Sequence, residues 1–338
     1  MTIILDVGTK EIKAGLSNEE LPSLRMSPFC YKQENKYINS SFLNSKQCMK
    51  DYEPCILNGE LNKEAFISTL EEVFKIYNSD SVVWVKSNDH PRIMGNESYE
   101  LLFERFGIDK IYSSPSPVLV ALSYGQTNGL VLECGNISCW CSVVFSGYVL
   151  ENSITQLNHA GIFLSQQIVN RMERENINII PNPPEHSSLS YINLARDSFI
   201  DQLKETPNTF NQFDINSYCR ELLFPLVIDE SNIGVDNTVL KSLMKCDYDV
   251  IMEVSNRLIL AGGTSLVPNL GEKVINTMHT YFPSFSCEII KGQTPTLQRY
   301  AAWRGGAMIA DTRSIQNIWV TKKDYEENGI GIVDRKCG

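Results

Sequence analysis

Leu260-Ala-Gly-Gly-Thr-Ser265 continues a strand-like run that starts at Arg257, and a helical pattern follows it to Met278. A short apolar run, a pair of glycines and a longer periodic segment predict a strand, a tight turn and a helix. The same alternation recurs near the N-terminus, where residues 62–77 predict a helix and residues 82–85 a strand. The chain is therefore predicted to be α/β, with helices flanking mixed sheets. Three further segments accompany the first one: Ser242-Leu-Met-Lys-Cys-Asp247, Ala302-Trp-Arg-Gly-Gly306 and Arg335-Lys-Cys-Gly338.

An internal repeat stands out upstream of these segments. Ile3-Ile-Leu-Asp6-Val-Gly8-Thr9 recurs as Leu130-Val-Leu-Glu133-Cys-Gly135-Asn136, and a second strand-like run follows each copy. The pattern predicts two β-hairpins with tight, glycine-bearing turns. Two such hairpins that face each other across a cleft would direct backbone N–H groups at one polyanionic ligand.

Size and composition limit the classes of function. A chain of 338 residues with 43% hydrophobic content supports a large core and two domains. The net charge of −10 argues against non-specific nucleic-acid binding as the main activity. The N-terminus lacks a leader-like pattern, and no stretch approaches the roughly 20 apolar residues that span a bilayer. We therefore expect a cytoplasmic protein that is not inserted in a membrane, with a nuclear pool as the alternative.

The order and spacing of five segments resemble those of the actin family: DxGT at Asp6, GGTS at Gly262, WxGG at Trp303, MKCD and RKC. The resemblance covers nearly the whole chain and is weakest at residues 27–52 and 162–218. It implies the actin-like ATPase fold, in which two related α/β domains surround a nucleotide cleft and each carries an outer subdomain. Sugar kinases and heat-shock ATPases share the two-hairpin arrangement but lack the MKCD and RKC segments.

The resemblance also implies the boundaries of four subdomains. Subdomain 1 would comprise residues 1–27, 55–123 and 301–338, and a reduced subdomain 2 would comprise residues 28–54. Subdomain 3 would comprise residues 124–159 and 231–300, and subdomain 4 residues 160–230.

By resemblance, the cleft is expected to bind ATP or ADP with Mg²⁺. Asp6 and Glu133 would hold the metal through water, and Lys13 would meet the phosphates as a point charge. Lys10 departs from the family, which has glycine at that position, and Arg299 replaces a lysine near the adenine. The residues expected to bind nucleotide are Asp6, Gly8, Thr9, Lys13, Gly135, Asn136, Arg196, Gly262, Gly263, Thr264 and Arg299.

The residues that would support hydrolysis are altered. Ser116 stands where the family has the glutamine that orients the attacking water, and Glu133 stands where it has an aspartate. Asn136 replaces a second aspartate, and Ile162 and Phe163 replace an arginine and an aspartate. Phosphoryl transfer depends on positioning and electrostatics. We therefore expect ATP binding with little or no hydrolysis.

Both outer subdomains diverge from the family, which favours a structural protein that acts through protein assembly. The alternatives are a polymerising actin with ATPase turnover and an actin-related subunit of a chromatin-remodelling or motor-adaptor complex. A metabolic kinase would need a catalytic aspartate over a sugar pocket, and none is recognised. The groove between subdomains 1 and 3, where the family takes up amphipathic partner helices, is expected to include Leu122, Arg304, Met308 and Ile309.

Overall fold

The structure of this protein is a computed structural model. It describes residues 1–34, 36–39, 47–57, 60–88, 96–177, 183–205, 209–210, 213–225, 233–312 and 317–337. Within these ranges, two six-stranded sheets and three smaller sheets are surrounded by helices, which confirms the predicted mixed α/β layers. Among the described residues, no helix combines the length and the apolar character needed to cross a bilayer.

The first large sheet contains the N-terminal hairpin. β1 (Ile3–Val7) and β2 (Ile12–Leu16) are antiparallel, with Ile3 opposite Leu16, whereas β9 (Ser81–Lys86) runs parallel to both β1 and β10 (Lys110–Pro115). Every residue of β1 is buried, which is typical of a central strand covered on both faces. In spatial order the strands are β19 (Val320–Thr321), β10 (Lys110–Pro115), β9 (Ser81–Lys86), β1 (Ile3–Val7), β2 (Ile12–Leu16) and β3 (Leu24–Met26).

Helices cover this sheet and close its core. Asn62 caps the first helix by accepting a hydrogen bond from the Ala65 N–H, and Phe66, Leu70 and Val73 are buried on one face. The predicted helix at 62–77 and strand at 82–85 are thus confirmed. The helices are α1 (Lys63–Ile76), α2 (Asn96–Glu100), a π-helical turn at Leu101–Arg105, α11 (Ala301–Ala310), α12 (Lys322–Asn328) and α13 (Ile332–Cys337).

The second large sheet repeats the arrangement of the first. Its strands are β13 (Tyr148–Val149), β12 (Cys139–Phe145), β11 (Gly129–Cys134), β17 (Arg257–Ala261) and β18 (Glu288–Ile290), with β14 (Thr155–Leu157) beside β12. β11 and β12 form an antiparallel hairpin and β17 runs parallel to β11, as β9 does to β1. The sequence repeat is therefore a repeat of structure. The helices around this sheet are α4 (Gly161–Arg174), α6 (Ile215–Leu223), α7 (Val235–Leu243), α8 (Tyr248–Val254), α9 (Leu270–Tyr281) and α10 (Pro295–Arg299).

Three small sheets and one long helix lie outside the two main layers. The segment predicted as a reduced subdomain 2 contains a three-stranded sheet, although residue 35 and residues 40–46 of it lie outside the described ranges. The elements are β4 (Phe29–Gln33), β5 (Lys36–Asn39), β6 (Tyr52–Pro54), β7 (Ile56–Leu57), β8 (Glu60–Leu61), β15 (Thr209–Phe210), β16 (Phe213–Asp214) and helix α5 (Leu189–Glu205).

A tightly packed pair of helices joins the two halves. Helix α3 (Ser116–Ser123) contributes Leu119 to the core of the first sheet, and Val120 and Ala121 to a cluster with Val131 of the second. α11 packs against α3 through Gly305, where a Cβ atom would lie only 1.8 Å from the carbonyl oxygen of Leu119. Only glycine allows the two helix backbones to approach this closely.

Candidate functional site

The turn of the first hairpin is narrow, and the two charged side chains beside it, Asp6 and Lys13, are mostly buried. The Gly8 N–H donates to the Glu11 carbonyl at 3.1 Å, and a Cβ atom on Gly8 would lie 2.9 Å from that oxygen. Asp6 and Lys13 are cross-strand partners, and Lys13 Nζ lies 2.7 Å from Asp6 Oδ2. Burial lowers the pKa of Lys13, but the Asp6 carboxylate outweighs it, so this pKa lies above its ordinary value. Lys13 therefore stays charged beside the turn.

The turn of the second hairpin is fixed from two sides. The Gly135 N–H donates to the Ser138 carbonyl at 3.0 Å, which closes the turn. The first turn of α4 binds it from one side, since the Ile162 N–H donates to the Asn136 carbonyl at 2.7 Å. From the other side, Thr264 Oγ1 donates to the Gly135 carbonyl at 2.7 Å. The second hairpin, α4 and the GGTS segment thus form one rigid unit.

The glycine pair has two separate roles in this unit. Gly262 has φ +88°, and a Cβ atom there would lie 2.4 Å from the Cys134 carbonyl oxygen, so a side chain is excluded. A Cβ atom on Gly263 would approach only Arg299 Nε, at 3.9 Å. β11 and β17 are parallel, with Glu133 beside Ala261, so both strands end at one edge of the sheet. Ligands of α/β sheets bind at such an edge.

The two residues at the positions expected to support hydrolysis contact each other. Ser116 is the first residue of α3, and its hydroxyl donates a hydrogen bond to the Glu133 carboxylate. Trp140 is directly opposite Glu133 in the second hairpin, so both side chains project from the same face of the sheet. Trp140 was not predicted from the sequence, although counting residues across the hairpin turn places it opposite Glu133.

Helix α5 supplies acidic partners for cations on the other elements. Lys10 of the first hairpin forms an ion pair with Asp201. Lys204 lies 2.8 Å from Asp201 and donates to the Gly161 carbonyl at 3.1 Å, while Arg299 lies 2.8 Å from Glu205. Asp201, Lys204 and Glu205 of α5 were not predicted from the sequence, because the resemblance is weak there. Their i, i+3, i+4 spacing on one helical face was the available signal.

The outer segments meet through an aromatic contact, which we name the outer latch: Tyr31, Cys48, Tyr52 and Tyr191. The Tyr52 ring centroid lies 5.7 Å from that of Tyr31 and 6.3 Å from that of Tyr191. Two hydrogen bonds from backbone amides reinforce this contact. The Ser188 N–H donates to the Cys48 carbonyl at 2.7 Å, and the Tyr52 N–H donates to Ser190 Oγ at 2.9 Å. The latch therefore joins residues 48–52 to the start of α5.

Replacing Tyr191 with alanine is expected to open this latch locally. Tyr191 is buried, and truncating a buried aromatic ring costs about 3 kcal/mol. Hydrogen exchange at the Tyr52 amide, which donates to Ser190, should accelerate while amides of β1 stay protected. Tyr148→Ala is the control, because that ring is 72% exposed. Unchanged exchange at Tyr52 would show that Tyr191 does not hold the latch.

The expected partner-groove residues lie on the paired helices α3 and α11. Met308 is 45% exposed, Leu122 is half-buried, and Ile309 packs against the first core. Tyr124, which directly follows α3, lies near Arg304. Burial raises the pKa of Tyr124 to about 12, although the Arg304 guanidinium lowers it. The structure thus gathers these four residues on two packed helices, with Met308 the most accessible.

The residues present fit a nucleotide and its magnesium. Arg196 Nε is buried without a hydrogen-bond partner among the described residues, as a donor awaiting an acceptor would be. In the described ranges no group of three His, Cys, Asp or Glu side chains could hold a metal alone. Magnesium suits such a site, because it keeps several waters and is bound by one or two carboxylates plus phosphates. Asp6 and Glu133 retain acceptor capacity beyond their present contacts.

Comparison with known families is consistent with this geometry. The actin family model matches residues 1–222 and residues 201–338, which together cover the whole chain. The matched region includes both hairpins, the glycine pair and the paired helices α3 and α11. The chain therefore belongs to the actin family.

Proposed function

We propose that this protein is an actin-like structural protein that binds ATP or ADP with Mg²⁺ in the cleft and acts through assembly with other proteins. In this proposal, the turns of the two hairpins supply backbone N–H donors to the phosphates, and Lys13 adds a charge held in place by Asp6. Gly263 leaves room for the nucleoside side, where Arg299 lies. When bound, Mg²⁺ would neutralise phosphate charge, with Asp6 and Glu133 holding it through water.

We further propose that hydrolysis is slow or absent. The observation that carries this proposal is the hydrogen bond between Ser116 and Glu133. A short hydroxyl engaged with the acid is poorly suited to orient a water molecule for attack. The first side chains of α4 are apolar: Ile162 is 49% exposed, and the Phe163 ring stacks on His159 at 4.1 Å. With few groups to position water, the transition state loses most of its stabilisation.

We propose assembly because the chain belongs to the actin family. Family membership implies protein–protein assembly, and we propose amphipathic helices as partners of the surface around Leu122, Arg304, Met308 and Ile309. The four-subdomain division remains a prediction, supported by the repeated sheets and the outer latch. A cytoplasmic, cytoskeletal location is likewise proposed, with a nuclear pool or membership of a remodelling or motor-adaptor complex as alternatives.

Phosphate release from purified protein with Mg-ATP tests the proposed loss of hydrolysis. We expect wild-type release at the background rate of Glu133→Ala. Ser116→Gln restores the amide that the family uses, and we expect it to raise release by about tenfold or more. Release well above background from the wild type, abolished in Glu133→Ala, would show an active ATPase instead.

Sedimentation across a concentration series in Mg-ATP separates a dedicated subunit from a polymerising actin. We expect the protein to stay in the supernatant at every concentration. Pelleting above a sharp critical concentration would show that it forms filaments, and would favour the alternative of an actin with turnover.

A further inference from the structure

Two buried thiols contact each other between the outer three-stranded sheet and helix α1, and we name them the outer thiol pair: Cys30 and Cys55. Cys30 lies on β4, and Cys55 directly follows β6, the strand that pairs with β4. Their Sγ atoms are 3.8 Å apart, and both thiols are free. The two sulfur atoms would have to approach by less than about 2 Å to reach the length of a disulfide bond.

The two thiols differ in acidity. The hydrogen bond from the Cys55 thiol lowers the pKa of Cys30 more than burial raises it, and Thr69 and Asn39 lower this pKa further. The Asn39 amide donates to Cys30 Sγ at 3.7 Å, and Thr69 Oγ1 lies 3.6 Å from the same atom. The bond to Cys30, together with burial, raises the pKa of Cys55. Cys30 is therefore the nucleophilic member of the pair, since the thiolate is the reactive form.

The outer thiol pair lies outside the two large cores. With Ala65 it forms a small separate cluster, against which Tyr37 and Ile56 pack. Local opening of a small cluster requires less free energy than opening of a central strand such as β1. Such an opening would admit a small neutral oxidant to the two sulfur atoms.

A second pair of cysteines offers a comparison within the same chain. Cys134 and Cys139 are directly opposite each other in the second hairpin, and both belong to the large core of the second sheet. The hydrogen bond to Cys139, together with burial, raises the pKa of Cys134 well above its ordinary value. Cys134 therefore keeps its proton and lies in a core that opens only with the sheet.

We propose that the outer thiol pair is an oxidisable site, at which hydrogen peroxide joins Cys30 and Cys55 in a reversible disulfide that stabilises the outer latch. The two residues are 25 positions apart, and the loop between them carries Tyr31, Cys48 and Tyr52 of the latch. Closing a loop restricts the conformations of the opened chain, so the latch would open less often. This inference is independent of nucleotide binding.

The oxidation balances in atoms and electrons. The Cys30 thiolate attacks one peroxide oxygen, so the O–O bond breaks, a sulfenic acid forms and hydroxide leaves. The Cys55 thiol gives its proton to this hydroxide, and its sulfur attacks Cys30 Sγ, which forms the S–S bond and expels a second hydroxide. The second hydroxide takes up the proton that Cys30 lost on ionisation. Two thiols are thereby oxidised, and one peroxide is reduced to two water molecules.

Peptide mapping of the peroxide-treated full chain tests the site. Remaining thiols are alkylated, the protein is digested without reductant, and the linked peptides are identified by mass spectrometry. We expect a Cys30–Cys55 link that dithiothreitol removes. Cys55→Ser should instead leave a sulfenic acid at Cys30, which dimedone traps. Cys246→Ser is the control, because that thiol is only half-buried and lies outside the pair, so this variant should form the link as the wild type does.

Hydrogen exchange tests the effect on the latch. The Tyr52 amide donates to Ser190 across the latch. In the oxidised protein its exchange should slow by about tenfold or more, because the closed loop opposes local opening. Dithiothreitol should restore the original rate, and peroxide should leave the rate unchanged in Cys55→Ser.

Two results of the mapping would overturn the oxidisable site. One is a link between Cys134 and Cys139 in place of the expected link, and the other is full alkylation of Cys30 and Cys55 after peroxide treatment. Both are read on the wild type, so they do not depend on the folding of a variant. A Cys30–Cys55 link with an unchanged exchange rate at Tyr52 would overturn the proposed effect on the outer latch.

Discussion

Gly305→Ala is expected to unfold the protein or to remove most of its stability. The new Cβ atom would lie 1.8 Å from the Leu119 carbonyl oxygen and 2.4 Å from its carbonyl carbon. Both are backbone atoms of a buried helix, so no side chain can rotate away. Overpacking usually costs 1–3 kcal/mol, and here we expect a loss above about 4 kcal/mol, because two helix backbones must separate.

Urea unfolding followed by circular dichroism measures this loss, with Gly331→Ala as the matched control. A Cβ atom on Gly331 would meet nothing within 4 Å, so that variant should unfold at the wild-type midpoint. An unchanged midpoint in Gly305→Ala would mean that α3 and α11 are not packed as closely as described. The joint between the two sheets would then need a different explanation.

Lys13→Met is expected to cost both stability and nucleotide binding. Lys13 and Asp6 have only 15% and 13% of their side chains exposed, so removing one charge leaves the other buried without its partner. Breaking a buried ion pair in this way costs about 3–5 kcal/mol. Since Lys13 Nζ also lies beside the Gly8 turn, 3.4 Å from the position of a Cβ atom there, ATP affinity should fall in the same variant.

The double variant Asp6→Asn/Lys13→Met separates the two effects. It removes both charges, so its urea midpoint should recover part of the loss seen in Lys13→Met, while ATP binding stays weak. Lys323→Met, at a side chain that is 81% exposed, is the control and should leave both readouts unchanged. Full ATP affinity in Lys13→Met would contradict a phosphate-binding role for Lys13.

The parts of the fold that depend on local pattern were predictable from the sequence. The hairpins follow from an apolar run, an acid and a glycine, because these residues determine a strand end and a tight turn within a few positions. The strand at 257–261, the glycine turn and the following helix are confirmed for the same reason. The actin-like fold is confirmed because its motifs keep their order along the whole chain.

The contacts across the cleft were not predictable in this way. Lys10 and Asp201 are separated by 191 positions, and neither lies in a motif that specifies the other. The same holds for Tyr52 and Tyr191, whose ring contact joins two segments that are far apart in the sequence. Lys10 was recognised only as a side chain where the family has glycine. Its partner became visible when the tertiary structure placed α5 beside the hairpin.

The altered hydrolytic positions were recognised separately, but their contact was not. The sequence places Ser116 and Glu133 at two positions with different roles in the family. The structure shows that α3 begins where the serine hydroxyl reaches the carboxylate. Under the proposed function, this contact joins the two substitutions in one site.

The identity of the retained nucleotide tests the central proposal most directly. Nucleotide-free protein is loaded with Mg-ATP, freed of excess nucleotide by gel filtration, held for several hours, denatured and analysed by anion-exchange chromatography. The proposed function predicts stoichiometric nucleotide that is still ATP. Recovery of ADP in its place would contradict the loss of hydrolysis, and recovery of no nucleotide would contradict binding in the cleft.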